Sequence, residues 1–152
     1  MQFQTKSFGI LEYDEKAVIH IQEGMLGFVK LKDYVLIESP DTDPFKILQS
    51  LDDPYVAFPM LDPRLLDSSY QCEITPEDRE SLGLEELSGV LTLAVTVIPE
   101  DPTLSTVNLK APLLIHQHKM IGKQIVLAES PYGTMQPLMS PPASFLEEAE
   151  KE

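Results

Sequence analysis

His116 and His118 stand two residues apart in an apolar run. On a strand that spacing turns both imidazoles to one side, the first requirement of a metal site. A third ligand would have to be His20 or a carboxylate, because Cys72 is the only cysteine and zinc takes three or four such donors. Two histidines at a hairpin end ordinarily face solvent instead, and no metal or cofactor is expected. Asp41, Thr42 and Asp43 open like a calcium loop, but Lys46 stands where such a loop needs glycine. Asp52 and Asp53 have the adjacency of a carboxylate pair that shares a proton, yet the following Pro54 marks them as turn acids in water. Cys72 has no base beside it in sequence and reads as a small core residue. No G-x-S-x-G elbow, phosphate-binding loop or G-x-G-x-x-G is present. A binding protein, not an enzyme, is therefore expected. The remaining cluster is acidic: Glu73, Glu77, Asp78 and Glu80 lie within eight positions and face only Arg79. These four are the candidate contacts for a basic partner, against the plainer reading of a solvated helix face steadied by its own dipole.

The elements that must position these residues are mostly strands. Asp-Pro dipeptides at 43–44, 53–54, 62–63 and 101–102, with Ser-Pro at 39–40 and 130–131, favour turns and interrupt helices. Between them lie β-favouring runs at 9–13, 17–22, 34–38, 45–50, 55–60, 90–98, 106–118 and 123–129. The last two are joined by a hairpin turn near 119–122. Short strands so spaced predict an all-β, mainly antiparallel, closed or nearly closed barrel. The run 90–98 is apolar at almost every position and is expected to be covered on both faces. In 106–115, Val107, Leu109, Ala111, Leu113 and Ile115 alternate with Asn108 and Lys110, which predicts one strand face buried. Pro112 removes a ladder donor there and predicts an edge or bulge. One helix is marked by Thr75 as cap, Pro76 at its first position, acids in its first turn and Gly83 as its stop. A second short turn is expected over 84–87.

A chain of 152 residues fits one domain with a workable core, placed at 1–130, followed by a Pro-rich acidic tail at 131–152. Within that tail a short helix over 144–150 is expected, and its apolar residues either lie back on the barrel or join a binding surface. With 11 basic against 25 acidic side chains the formal charge is −14. That balance opposes direct binding to nucleic-acid phosphates or to an anionic membrane and favours a basic protein partner. The N-terminus lacks the basic and apolar regions of a signal peptide, and no apolar run approaches the length of a membrane span. With its single cysteine, the chain is expected in a reducing, cytoplasmic compartment.

Residues 108–112, Asn-Leu-Lys-Ala-Pro, resemble the signature of the FliW family of flagellar assembly factors. Gly24, Gly27 and Phe28 are similar to that family's early Gly-x-x-Gly-Phe turn. Pro44, Phe45, Leu48, Gln49 and Ser50 are similar to its Pro-Phe-x-x-Leu-Gln-Ser strand, and 121–127 to the strand after the signature. The blocks occur in family order over most of the chain. The resemblance implies a small closed barrel that binds two proteins, the translational repressor CsrA and flagellin. Unsecreted flagellin would occupy the factor and release CsrA to repress flagellin translation. Asn108, Lys110 and Pro112 carry the signature without being assigned a contact. The alternatives are a secretion chaperone that binds flagellin alone, and a small β-barrel enzyme or ligand carrier.

Overall fold

The computed structural model describes residues 1–5, 9–83 and 89–138. Its strands are β1 (Gln2–Thr5), β2 (Gly9–Glu12), β3 (Ile19–Ile21), β4 (Asp33–Ile37), β5 (Lys46–Ser50) and β6 (Ala57–Leu61). A single α-helix among the described residues, α1 (Pro76–Leu82), precedes β7 (Val90–Val97), β8 (Thr106–Val107), β9 (Leu113–His116), β10 (Ile121–Gln124) and β11 (Gln136–Pro137). Short 3₁₀ turns occupy Glu15–Ala17, Pro63–Leu65 and Pro102–Leu104, each capped by an aspartate carboxylate: Asp14, Asp62 and Asp101. The Asp-Pro dipeptides at 62–63 and 101–102 thus become turns because the side chain holds the amide two residues on.

Strands β3, β4, β5, β6, β7, β9 and β10 pair in that order, and β10 returns to β3 to close a barrel. All of these pairings are antiparallel except β10 with β3. The expected all-β barrel is the observed fold. Inside it pack Ile19, Ile21, Met25, Tyr34, Leu48, Met60, Leu93, Leu113 and Ile115. A second core lies outside the barrel wall, where Tyr70, Leu82, Ala94, Val107, Leu109, Leu114, Ile125 and Leu127 meet. Two cores explain why β7 is apolar at almost every position: Leu93 faces the first and its neighbour Ala94 the second. They likewise place Leu113 inside and Leu114 outside, so β9 is buried on both faces.

The single strand expected over 106–118 is two strands. Thr96 of β7 faces Val107 of β8, whereas Leu93 faces Leu113 of β9. Between these pairs two residues of β7, 94 and 95, are matched by five of the partner, and the excess bulges out at 108–112. The strand expected over 123–129 begins earlier and stops at Gln124. Beyond it the ladder continues only as Ile125 N–H to Pro112 O (3.0 Å) and Leu127 N–H to Lys110 O (2.8 Å), because the facing chain is bent. Sequence reading also missed β1, which pairs with β2 as a two-stranded sheet apart from the barrel. Residues 133–138 run back along β8, with Leu109 N–H to Gly133 O (3.2 Å) and Leu138 N–H to Ser105 O (2.8 Å). The turn expected at 84–87 and the helix expected at 144–150 lie outside the described residues.

Candidate protein-binding surface

Helix α1 forms where the sequence announces it. Thr75 Oγ1 accepts from Asp78 N–H (3.1 Å), Pro76 spends no donor at the first position, and Gly83 ends the helix at φ 65°. Lys119 Nζ donates to the Gly83 carbonyl (3.2 Å), placing a cation at the negative helix end. Leu82 is buried in the second core, so the helix has one face against the barrel. Asp78 lies on that side: its carboxylate is 2.8 Å from Lys123 Nζ of β10, with the two side chains only 20% and 17% exposed. Lys123 also reaches Ser81 Oγ (3.3 Å) and Glu23 (3.6 Å). The hydrogen bond that Lys123 donates to Asp78 holds its ammonium above its ordinary pKa. Glu73, Glu77 and Glu80 are exposed. The four sequence candidates thus divide into three carboxylates offered to solvent and one that fastens the helix.

The signature residues build the bulge. Asn108 Oδ1 accepts from Lys110 N–H (3.1 Å) and Ala111 N–H (3.0 Å), an Asx turn that replaces two ladder bonds. Pro112 is buried where the chain re-enters the sheet as β9, and Lys110 is half-buried. Gln124, which sequence reading passed over, ties this bulge to the Gly-x-x-Gly-Phe turn. Its Oε1 accepts from Leu26 N–H (2.8 Å) and its Nε2 donates to Ala111 O (2.9 Å). A polar residue ending a strand gives no sequence signal that its amide spans two distant loops. In the turn itself, Gly24 has φ +69°, and a Cβ there would lie 2.6 Å from Phe28 O, so only glycine fits.

The other candidates are kept apart. His116 Nδ1 accepts from Lys119 N–H (3.2 Å), its ring lies 6.1 Å edge-on from that of His118, and His20 Nδ1 instead meets Asp33 (2.8 Å). Among the described residues, no three His, Cys, Asp or Glu side chains are gathered to hold a metal ion. Asp52 accepts from Lys32 N–H (2.8 Å) and Asp33 N–H (3.1 Å), while Asp53 caps Tyr55 N–H (2.9 Å). The two carboxylates serve different backbone amides. Asp41 N–H is bound to Ser39 Oγ (3.2 Å) in a turn. Cys72 is half-buried against the second core, and burial pushes its thiol pKa up.

Fold and surface together define a small acidic barrel whose exposed features are carboxylates and a hairpin standing outside the barrel sheet. Residues 2–138 match the family model described as FliW protein. A flagellar assembly factor FliW of Caldanaerobacter subterraneus subsp. tengcongensis is 39% identical over 91% of this chain and 93% of its own length. One from Bdellovibrio bacteriovorus is 34% identical over 92% of this chain and 80% of its own. A crystal structure of the flagellar assembly factor FliW superposes with a TM-score of 0.84 at 30% identity, covering 91% of this chain and 96% of that one. The chain belongs to the FliW family. Among its described residues no helix is long and apolar enough to cross a membrane.

Proposed function

We propose that this protein is a cytoplasmic flagellar assembly factor that antagonises the translational repressor CsrA and also binds flagellin, coupling flagellin secretion to flagellin translation. The observation that carries the reading is the exposed acidic surface of α1 and the segment leading into it, on a FliW-family barrel: Glu73, Glu77 and Glu80 are solvent-exposed, on a chain of net charge −14. A repressor that binds RNA presents lysine and arginine to phosphates. An acidic surface is steered to such a protein and, once docked, opposes an approaching RNA.

Isothermal titration with purified CsrA, alone and preloaded with flagellin leader RNA, tests this. Tight binding with loss of RNA affinity is the expected result. Replacing Glu73, Glu77 and Glu80 together by lysine is expected to weaken CsrA binding at low salt at least about tenfold, roughly 1.4 kcal/mol. Asp78→Ala is the control, because its loss strands Lys123 and acts first on stability. Unchanged affinity in the triple variant removes α1 from the interface. Binding to flagellin with none to CsrA leaves a secretion chaperone without a translational arm.

A further inference from the structure

The barrel has no free edge, and the sheet that β8 and β11 add to β7 ends on a blunted one. Leu138 N–H points inward to Ser105 O, so the alternate residue Pro137 is the one whose amide would face outward, and proline has none. The β1–β2 hairpin is built differently. Met1 and Tyr13 exchange both backbone bonds (2.8 and 2.9 Å). With Phe3 facing Leu11, the odd residues of β1 bond inward, and Gln2 and Gln4 turn N–H and C=O outward. No described residue pairs with that edge. Neither a charged residue nor a proline protects it: the strand reads Gln-Phe-Gln-Thr. Ile10, across from Gln4, is 63% exposed. A two-stranded hairpin is marginal in water and gains most from a third strand.

Charge selects the occupant. Glu12, whose carboxylate accepts from Gln2 Nε2 (3.1 Å), Asp14 and Glu15 crowd the open end of the hairpin, where the cations are the Met1 ammonium, bonded to Tyr13 O, and Lys16. A second copy would bring the same acids and another charge of −14, whereas a segment rich in lysine or arginine is attracted. We propose that the outer edge of β1 takes an extended, basic segment of a partner protein as a third strand of the β1–β2 sheet. Backbone pairing through Gln2 and Gln4 provides the grip and the hairpin acids set the preference for basic side chains. This surface stands without the partner assigned to α1.

The test titrates the isotope-labelled full chain with a short capped peptide of alternating lysine and valine, followed by NMR. The Gln2 and Gln4 amides are expected to shift and to gain protection from hydrogen exchange. A peptide with glutamate in place of lysine is expected to bind at least about tenfold more weakly. Gln4→Pro removes an outward N–H while leaving the inward bonds of Phe3 and Thr5, and is expected to abolish binding. The Leu11 and Tyr13 resonances report whether the hairpin survives that change. Should it not, protection of Gln2 and Gln4 in the unaltered chain decides. Shifts confined elsewhere, equal binding of the acidic peptide, or full binding by an intact Gln4→Pro chain overturns the proposal. Protection that grows with protein concentration alone and vanishes in Gln4→Pro assigns the edge to a second copy and also overturns it.

Discussion

Tyr132 lies beyond the last barrel strand yet is fixed by two contacts: its hydroxyl donates to Asp67 Oδ2 (2.6 Å) and its ring sits 5.0 Å from that of Tyr70. Tyr70 in turn donates to Leu109 O (2.7 Å), within the signature bulge. Burial, and then the neighbouring Asp67 carboxylate, pushes the Tyr132 hydroxyl up to about 12. The Ser69 hydroxyl first, then Tyr132, hold the Asp67 carboxyl below its ordinary value. A carboxylate whose folded pKa is depressed adds stability that is complete above its unfolded pKa, about 4, and is lost as pH falls through the lower folded value. Tyr132→Phe is therefore expected to destabilise the protein at neutral pH, with a difference from the parent that narrows on acidification from about pH 5 to about pH 2. Urea denaturation across that range measures it. A difference independent of pH would assign Tyr132's contribution to ring packing alone.

The bulge at 108–112 is an element in its own right, because it lets one chain segment pair with two stretches of β7 in different registers. Its internal bend is closed by one acceptor, Asn108 Oδ1, serving the amides of Lys110 and Ala111. Ala111 is 1% exposed, so its N–H has no recourse to water. Asn108→Ala is expected to cost about 1–3 kcal/mol, and Asn108→Asp, which keeps the acceptor, considerably less. Chemical denaturation of both variants is the measurement. Equal losses would show that the bend is held by packing of Leu109 and Pro112 instead of by the Asx turn.

At the scale of the molecule the charge of −14 is spread over a small barrel. Many aspartates are engaged locally, Asp14, Asp53, Asp62 and Asp101 each holding a backbone amide. Self-repulsion should oppose compaction and be screened by salt. The Tm is expected to rise as ionic strength goes from about 10 mM to about 150 mM, over which the Debye length falls from about 30 to about 8 Å. Association with a basic partner should weaken over the same range. A calorimetric Tm that is flat with salt would mean that the acids are already locally compensated.

Much of this protein was legible in the chain because local chemistry and final structure agree. Turn residues at the Asp-Pro sites, the capped helix of Thr75 to Gly83, and the doubly apolar run of β7 each specify their conformation within a few positions. Closure of the barrel between β7 and β9, the parallel contact of β10 with β3, and the bulge that splits 106–118 were decided by tertiary structure. Periodicity reports that a face is buried but not which of two cores buries it. The same limit applies to the acids: Glu77 and Asp78 are adjacent and equivalent as sequence. Only the placement of Lys123 across from α1 makes one a fastening of the fold and leaves the other exposed. Charge and composition are properties of the chain, whereas the availability of a particular carboxylate or strand edge depends on what long-range contacts leave uncovered.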